Sequence, residues 1–136
     1  SKTSEYMTFA STGNAIDFGT ALTGGGQGGN CGLSSPVRGI FGGISTPGNN
    51  TNVIEFITIA SLGTFQDFGD LSSGRAGTAG MCSPTRGLFA GGGPLGSYNV
   101  IDYVNIQSTG NATTFGNLNR NNVQWGGGTS NAHGGL

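Results

Sequence analysis

Ile54-Glu55-Phe56-Ile57-Thr58-Ile59-Ala60-Ser61-Leu62-Gly63 recurs 47 residues later as Ile101-Asp102-Tyr103-Val104-Asn105-Ile106-Gln107-Ser108-Thr109-Gly110. It also stands 50 residues earlier as Ser4-Glu5-Tyr6-Met7-Thr8-Phe9-Ala10-Ser11-Thr12-Gly13. In each copy an acid is followed by an aromatic ring: Glu5-Tyr6, Glu55-Phe56 and Asp102-Tyr103. The pattern predicts a strand, with Glu55, Ile57 and Ile59 on one face and Ile54, Phe56 and Thr58 on the other. Both faces carry large apolar groups, so both are expected to be covered, unlike a sheet with one wet side.

Each copy continues in the same way. A Ser-Thr-Gly-Asn or related turn, suited to a tight hairpin, leads to Asp17-Phe18-Gly19, Asp67-Phe68-Gly69 or Thr114-Phe115-Gly116. Small-residue stretches follow: Gly24 to Gly32, Ala76 to Gly80 and Gly126 to Gly128. They fit an innermost strand with little room. Then comes Ser35-Pro36-Val37-Arg38-Gly39-Ile40-Phe41-Gly42-Gly43, matched by Ser83-Pro84-Thr85-Arg86-Gly87-Leu88-Phe89-Ala90-Gly91. A further copy of this block begins at Asn131. A period of 40–50 residues points to propeller blades or helical arrays. Abundant glycine and β-branched residues, with no 3.6-residue apolar stripe, exclude the helical option.

Arg38-Gly39-Ile40-Phe41-Gly42-Gly43 and its second copy resemble kelch-type propeller repeats, with Tyr6 and Phe56 in the role of the kelch outer aromatic. Phe18, Phe68 and Phe115 stand in place of the usual Trp, at a longer spacing. The wider consensus also resembles repeats in virion proteins of tailed phages, including tail-fibre-like proteins. It comprises Val100-Ile101-Asp102-Tyr103-Val104, the Ser-Thr-Gly-Asn-Ala turn, the Asp-Phe-Gly strand and Ser83 to Gly91. The resemblance implies an all-β fold of about three kelch-like blades, in one repeat domain spanning 1–136, with units of roughly 4–52, 53–99 and 100–136. It implies a virion setting, reached by assembly in the host cytoplasm.

Counted in order, the chain opens with an outer pair at about 4–11 and 15–19. Two complete four-stranded blades follow, then an inner strand near 123–130 and the start of the next, twelve strands in all. Closed propellers need about 4–8 blades, so a split-blade chain of this length is expected to complete a ring or array with further copies of itself. A fragment of a longer repeat protein would show the same pattern.

Composition narrows the functional classes. Only 8% of residues are charged and the net charge is -1, which leaves no basic patch for nucleic acid. No apolar run approaches the roughly 18 residues of a membrane helix, and no hydrophobic signal region opens the sequence. The single histidine, His133, is a poor catalytic candidate near the C-terminus. Asp17, Asp67, Glu5, Glu55 and Asp102 recur in register, so pairing with Arg38 or Arg86, or capping turn amides, is expected of them rather than glycosidase chemistry. Gly24 to Gly29 lacks the Lys-Ser or Lys-Thr of a phosphate loop. Cys31 and Cys82 occupy non-equivalent repeat positions, which argues for buried thiols rather than a disulfide or a zinc site.

No catalytic residue, cofactor or metal site is expected. The first reading is a non-enzymatic virion structural protein, with itself and other virion proteins as partners. The second is a glycan- or receptor-binding propeller. There Trp125 would stack on a sugar beside Asn121 and Asn122, while Tyr6 and Tyr103 would serve as contact or interface residues and the loop from Ser45 to Asn52 would add polar contacts.

Overall fold

A computed structural model describes residues 2–23, 29–93, 98–121 and 123–130. These residues form an all-β structure with no helix. The strands are β1 (Thr3–Tyr6), β2 (Ile16–Thr20), β3 (Cys31–Ser34), β4 (Arg38–Gly42), β5 (Ser45–Thr46) and β6 (Asn49–Asn50). They continue as β7 (Val53–Thr58), β8 (Gln66–Asp70), β9 (Ala79–Cys82), β10 (Arg86–Ala90), β11 (Val100–Asn105) and β12 (Thr113–Asn117). Pairing is antiparallel throughout, in four small sheets, none closed on itself.

The repeat in the sequence becomes a repeat of sheets. β1 and β2 form a two-stranded sheet, followed by the four-stranded sheet β3-β4-β7-β8 and then the four-stranded sheet β9-β10-β11-β12. These are called below the first, second and third sheets. Registers match between them: Phe41 sits opposite Glu55 in the second, and Phe89 opposite Asp102 in the third. A register shift precedes the acid in every copy, at Ser4/Glu5, Ile54/Glu55 and Ile101/Asp102. Such a bulge turns a side chain away from simple alternation, so the acid can be aimed at a neighbouring sheet.

The core lies between the second and third sheets. Leu33, Ile40, Ile54, Phe56, Phe68, Leu71, Phe89, Val104 and Ile106 form one buried cluster. Phe89 enters against Gly42, where a Cβ would leave no room for its ring, and Leu33 enters against Gly87 in the same way. Sheet-on-sheet packing is thus made by large residues of one sheet seated on glycines of the other.

Three expectations need correction. Residues 123–130 form no strand. β3 and β9 are strands because each is hydrogen-bonded along β4 or β10, whereas 123–130 belong to none of the sheets formed by the described residues. β1 ends at Tyr6, well short of residue 11, whereas its counterparts β7 and β11 run two residues further. The extra residues Ile57 and Thr58 are held by pairing to Gly39 and Arg38, a neighbour β1 lacks among the described residues. Finally, the loop from Ser45 to Asn52 contains a small hairpin, β5-β6, turned at Pro47-Gly48. The twelve strands observed therefore include this pair; of the two expected after residue 122, the one near 123–130 is not formed and the one beginning at Asn131 lies outside the described residues.

Candidate assembly joint

The recurring acids build the joints between successive sheets. Glu55 is buried on β7, and its carboxylate accepts the N–H groups of Leu22 at 2.7 Å and Thr23 at 3.3 Å, and the Thr23 hydroxyl at 3.0 Å. Leu22 and Thr23 lie in the turn leaving β2, the last strand of the first sheet. One unit on, Asp102 accepts the Ser72 N–H at 3.0 Å and the Ser72 hydroxyl at 2.7 Å, in the turn leaving β8. Each acid caps the turn of the preceding sheet. Hydrogen bonds to a charged acceptor contribute about 1.5–3 kcal/mol each, which makes these turns firm attachment points.

The third joint element is an arginine absent from the repeat pattern. Arg75 Nη2 donates to Asp102 at 2.9 Å and to the Phe89 carbonyl at 3.3 Å, and both charged side chains are fully buried. Sequence reasoning expected Arg38 or Arg86 for this pairing and missed Arg75. The available signal was a lone cation inside the small-residue stretch Ser72-Ser73-Gly74-Arg75-Ala76-Gly77.

Arg38 and Arg86 lie over aromatic rings. The Arg38 guanidinium stands 4.9 Å from the Phe56 ring centre, and that of Arg86 4.8 Å from Tyr103. Such cation–π contacts contribute about 0.5–1 kcal/mol at exposed sites. Arg38 also donates from Nη1 to the Ile106 carbonyl at 3.0 Å, joining the second sheet to the third. Each ring meets its unit's Phe edge to face, as Tyr6–Phe18 at 6.1 Å, Phe56–Phe68 at 5.8 Å and Tyr103–Phe115 at 6.2 Å.

Backbone bonds complete the joints. The N–H groups of Gly63 and Phe65 donate to Phe18 and Thr20 on β2, at 2.9 and 2.8 Å. One unit later Gly110 and Ala112 donate to Phe68 and Asp70 on β8, at 2.7 and 2.8 Å. The approach is so close that a Cβ at Gly19 or Gly69 would collide with the carbonyl of Gly63 or Gly110. Just before β3 and β9, and at the matching point of the third unit, a ladder links equivalent residues: Gly77 N–H donates to Gly29 at 2.6 Å, and Trp125 N–H to Gly77 at 2.8 Å.

The candidate contact residues are not brought together. Trp125 and Asn121 are exposed, Tyr6 lies on β1 and Tyr103 on β11 in a different sheet, and Asn122 falls outside the described residues. His133 and the glycines from 24 to 28 are also outside them. Among the described residues no three His, Cys, Asp or Glu side chains are placed to hold a metal ion, and no helix is long and apolar enough to cross a membrane.

Both cysteines are free. Cys82 donates to the Ser34 carbonyl at 3.3 Å, and the Cys31 sulfur lies 3.1 Å from the Thr78 hydroxyl. Burial pushes the Cys31 thiol pKa up, against the weaker opposing effects of the Thr78 hydrogen bond and the Arg75 charge.

No protein-family model matches this chain, and no curated protein matches it.

Proposed function

We propose that the chain is a non-enzymatic structural protein of a phage virion, a fibre, decoration or tail appendage, which self-assembles through kelch-like β-propeller repeats. The observation that carries the assembly reading is the joint made twice inside the chain. The turn after β2 is capped by Glu55 and the turn after β8 by Asp102, while Glu5 in the first sheet has no hydrogen-bond partner among the described residues. The two acids that are engaged accept from turn amides, hydroxyls and a buried guanidinium, which supports a structural rather than a catalytic use. The virion setting rests on the resemblance of the repeat consensus alone.

The native mass of the purified protein tests the assembly reading, by native mass spectrometry or light scattering. A discrete multiple of 13.6 kDa is expected for a ring, and an open-ended series for a fibre. A stable folded monomer rejects self-assembly.

A second reading, a glycan-binding module, has one observation in its favour. The Trp125 side chain is 69% exposed although its backbone sits at a φ of 58°, which is rare for a bulky residue. Binding on a glycan array that Trp125→Ala abolishes would favour it, and loss of assembly without any glycan signal would favour the first.

A further inference from the structure

We infer that a second copy of this chain docks its first sheet onto the third sheet of the first copy, through a joint that repeats the acid-to-turn cap and the backbone bonds shared by the two already inside the chain. This inference rests on the self-assembly reading above and assigns its atoms.

The closing face, on β12 and the residues after it, carries the groups that the earlier joints use. Leu118 N–H donates to Asn99 as Ala21 does to Lys2 and Leu71 to Asn52, so Asn119 occupies the place of Leu22 and Ser72. Those two N–H groups are capped by Glu55 and Asp102, but the Asn119 N–H has no partner among the described residues. The carbonyls of Phe115 and Asn117 correspond to the Phe18/Thr20 and Phe68/Asp70 acceptors, yet among the described residues no following turn donates to them. Phe115 itself is 54% exposed, whereas its counterparts Phe18 and Phe68 are 7% and 2% exposed. Gly116 has open space where Gly19 and Gly69 are pressed by a neighbouring carbonyl.

The opening face carries the complement. Glu5 is exposed and stands where Glu55 and Asp102 stand in later units. Gly13 and Ala15 match Gly63/Phe65 and Gly110/Ala112, and their N–H groups have no acceptor among the described residues. Beside β1 a cavity of about 660 Å³ is walled in part by Phe41 and Ile44. Phe89, the counterpart of Phe41, is fully buried against Gly42 of the sheet before it. Gly42 belongs to β4, an inner strand of the second sheet, and the first sheet has no inner strand among the described residues, so the cavity marks that open position beside β1.

In the joint, Glu5 of one copy accepts the Asn119 N–H of the other. Gly13 and Ala15 donate to the Phe115 and Asn117 carbonyls, and the Phe115 ring is covered. What covers such a face is seen twice in this molecule, and it is another unit of the same repeat. The contact is heterologous, with a different surface on each side, so it propagates until a rotation closes it.

Two variants of the full chain separate the faces. Glu5→Ala with Ala15→Pro removes an acceptor and a donor from the opening face, and Phe115→Asp puts a charge in the covered site of the closing face. With β structure retained by far-ultraviolet circular dichroism, each variant alone is expected to be monomeric under conditions where the wild type assembles. The dissociation constant should weaken roughly a hundredfold. Mixed one to one, they should form a discrete dimer through the single intact joint. Should Ala15→Pro fail to fold, Glu5→Ala alone serves as the opening-face variant. A wild-type monomer overturns the self-assembly reading itself. A wild-type assembly that either variant leaves intact, or a mixture that stays monomeric, overturns this joint and leaves that reading standing.

Discussion

The Trp125 N–H donates to the Gly77 carbonyl at 2.8 Å, one unit after Gly77 N–H donates to Gly29. The three residues are 48 apart in sequence and all have positive φ: 92° at Gly29, 70° at Gly77 and 58° at Trp125. The ladder demands a left-handed residue at this point of each unit, and the third unit meets the demand with a tryptophan. A non-glycine residue there costs about 1–2 kcal/mol. The indole of Trp125 in turn lies over the two glycines, about 3.4–3.5 Å from where a Cβ on either would stand.

Comparing two truncations isolates that strain. Trp125→Ala and Trp125→Gly both lose the indole, but only the alanine is held at positive φ. The glycine variant is expected to be the more stable by about 1 kcal/mol, measured as the difference in urea midpoints at constant slope. Equal stabilities would show that the ladder does not impose its φ on this position.

Removing one member of the Arg75–Asp102 pair strands a charge in the interior. Asp102→Ala is expected to lose about 3–5 kcal/mol in chemical denaturation. The double variant Arg75→Met with Asp102→Leu should recover part of it, because two apolar groups leave no unpaired charge while the Ser72 amide and hydroxyl still lose their acceptor. Asp102 Oδ1 and Arg75 Nε already lack partners among the described residues, so the pair is incompletely satisfied. A single variant with wild-type stability would refute the buried geometry.

Glu55 is bound only to a turn, with no cation on it among the described residues. Glu55→Ala frees the Leu22 and Thr23 amides and should cost about 2 kcal/mol. Hydrogen exchange should speed up at these two amides more than in the third sheet, since the bonds lost are local to the joint.

Cys31 supplies the pH dependence. Burial pushes its thiol pKa up in the folded state, so between the unfolded and folded values the folded chain binds more protons than the unfolded chain. Its contribution to stability is complete below about pH 9 and declines as pH rises through the folded value. Cys31→Ala should flatten that decline in urea titrations between pH 8 and 10.5. In the native protein, alkylation of Cys31 should lag that of an unfolded control at pH 8.

The period, the strand order within a unit and the in-register acids were legible along the chain. They follow from local rules: alternation for strands, Gly-Asn for turns, and identical residues at identical offsets for identical local roles. Glu5, Glu55 and Asp102 announce one repeated position, and capping of turn amides follows from what an in-register carboxylate can do. Kelch-like blades and the virion setting belong to the resemblance, and the open sheets by themselves go no further than an antiparallel all-β repeat.

Only the tertiary structure decided which of the three acids is engaged and by what. Glu55 and Asp102 are the same position on the same strand, yet one holds amides and a hydroxyl while the other also holds Arg75, 27 residues away. A burial-dependent pairing has no periodic signature, so no offset in the sequence announces it. The same reason explains β1 and residues 123–130. Both have sequence as suited to strands as their counterparts, but a strand's length is set by the neighbour that takes its hydrogen bonds, and that neighbour is a fact of packing rather than of composition.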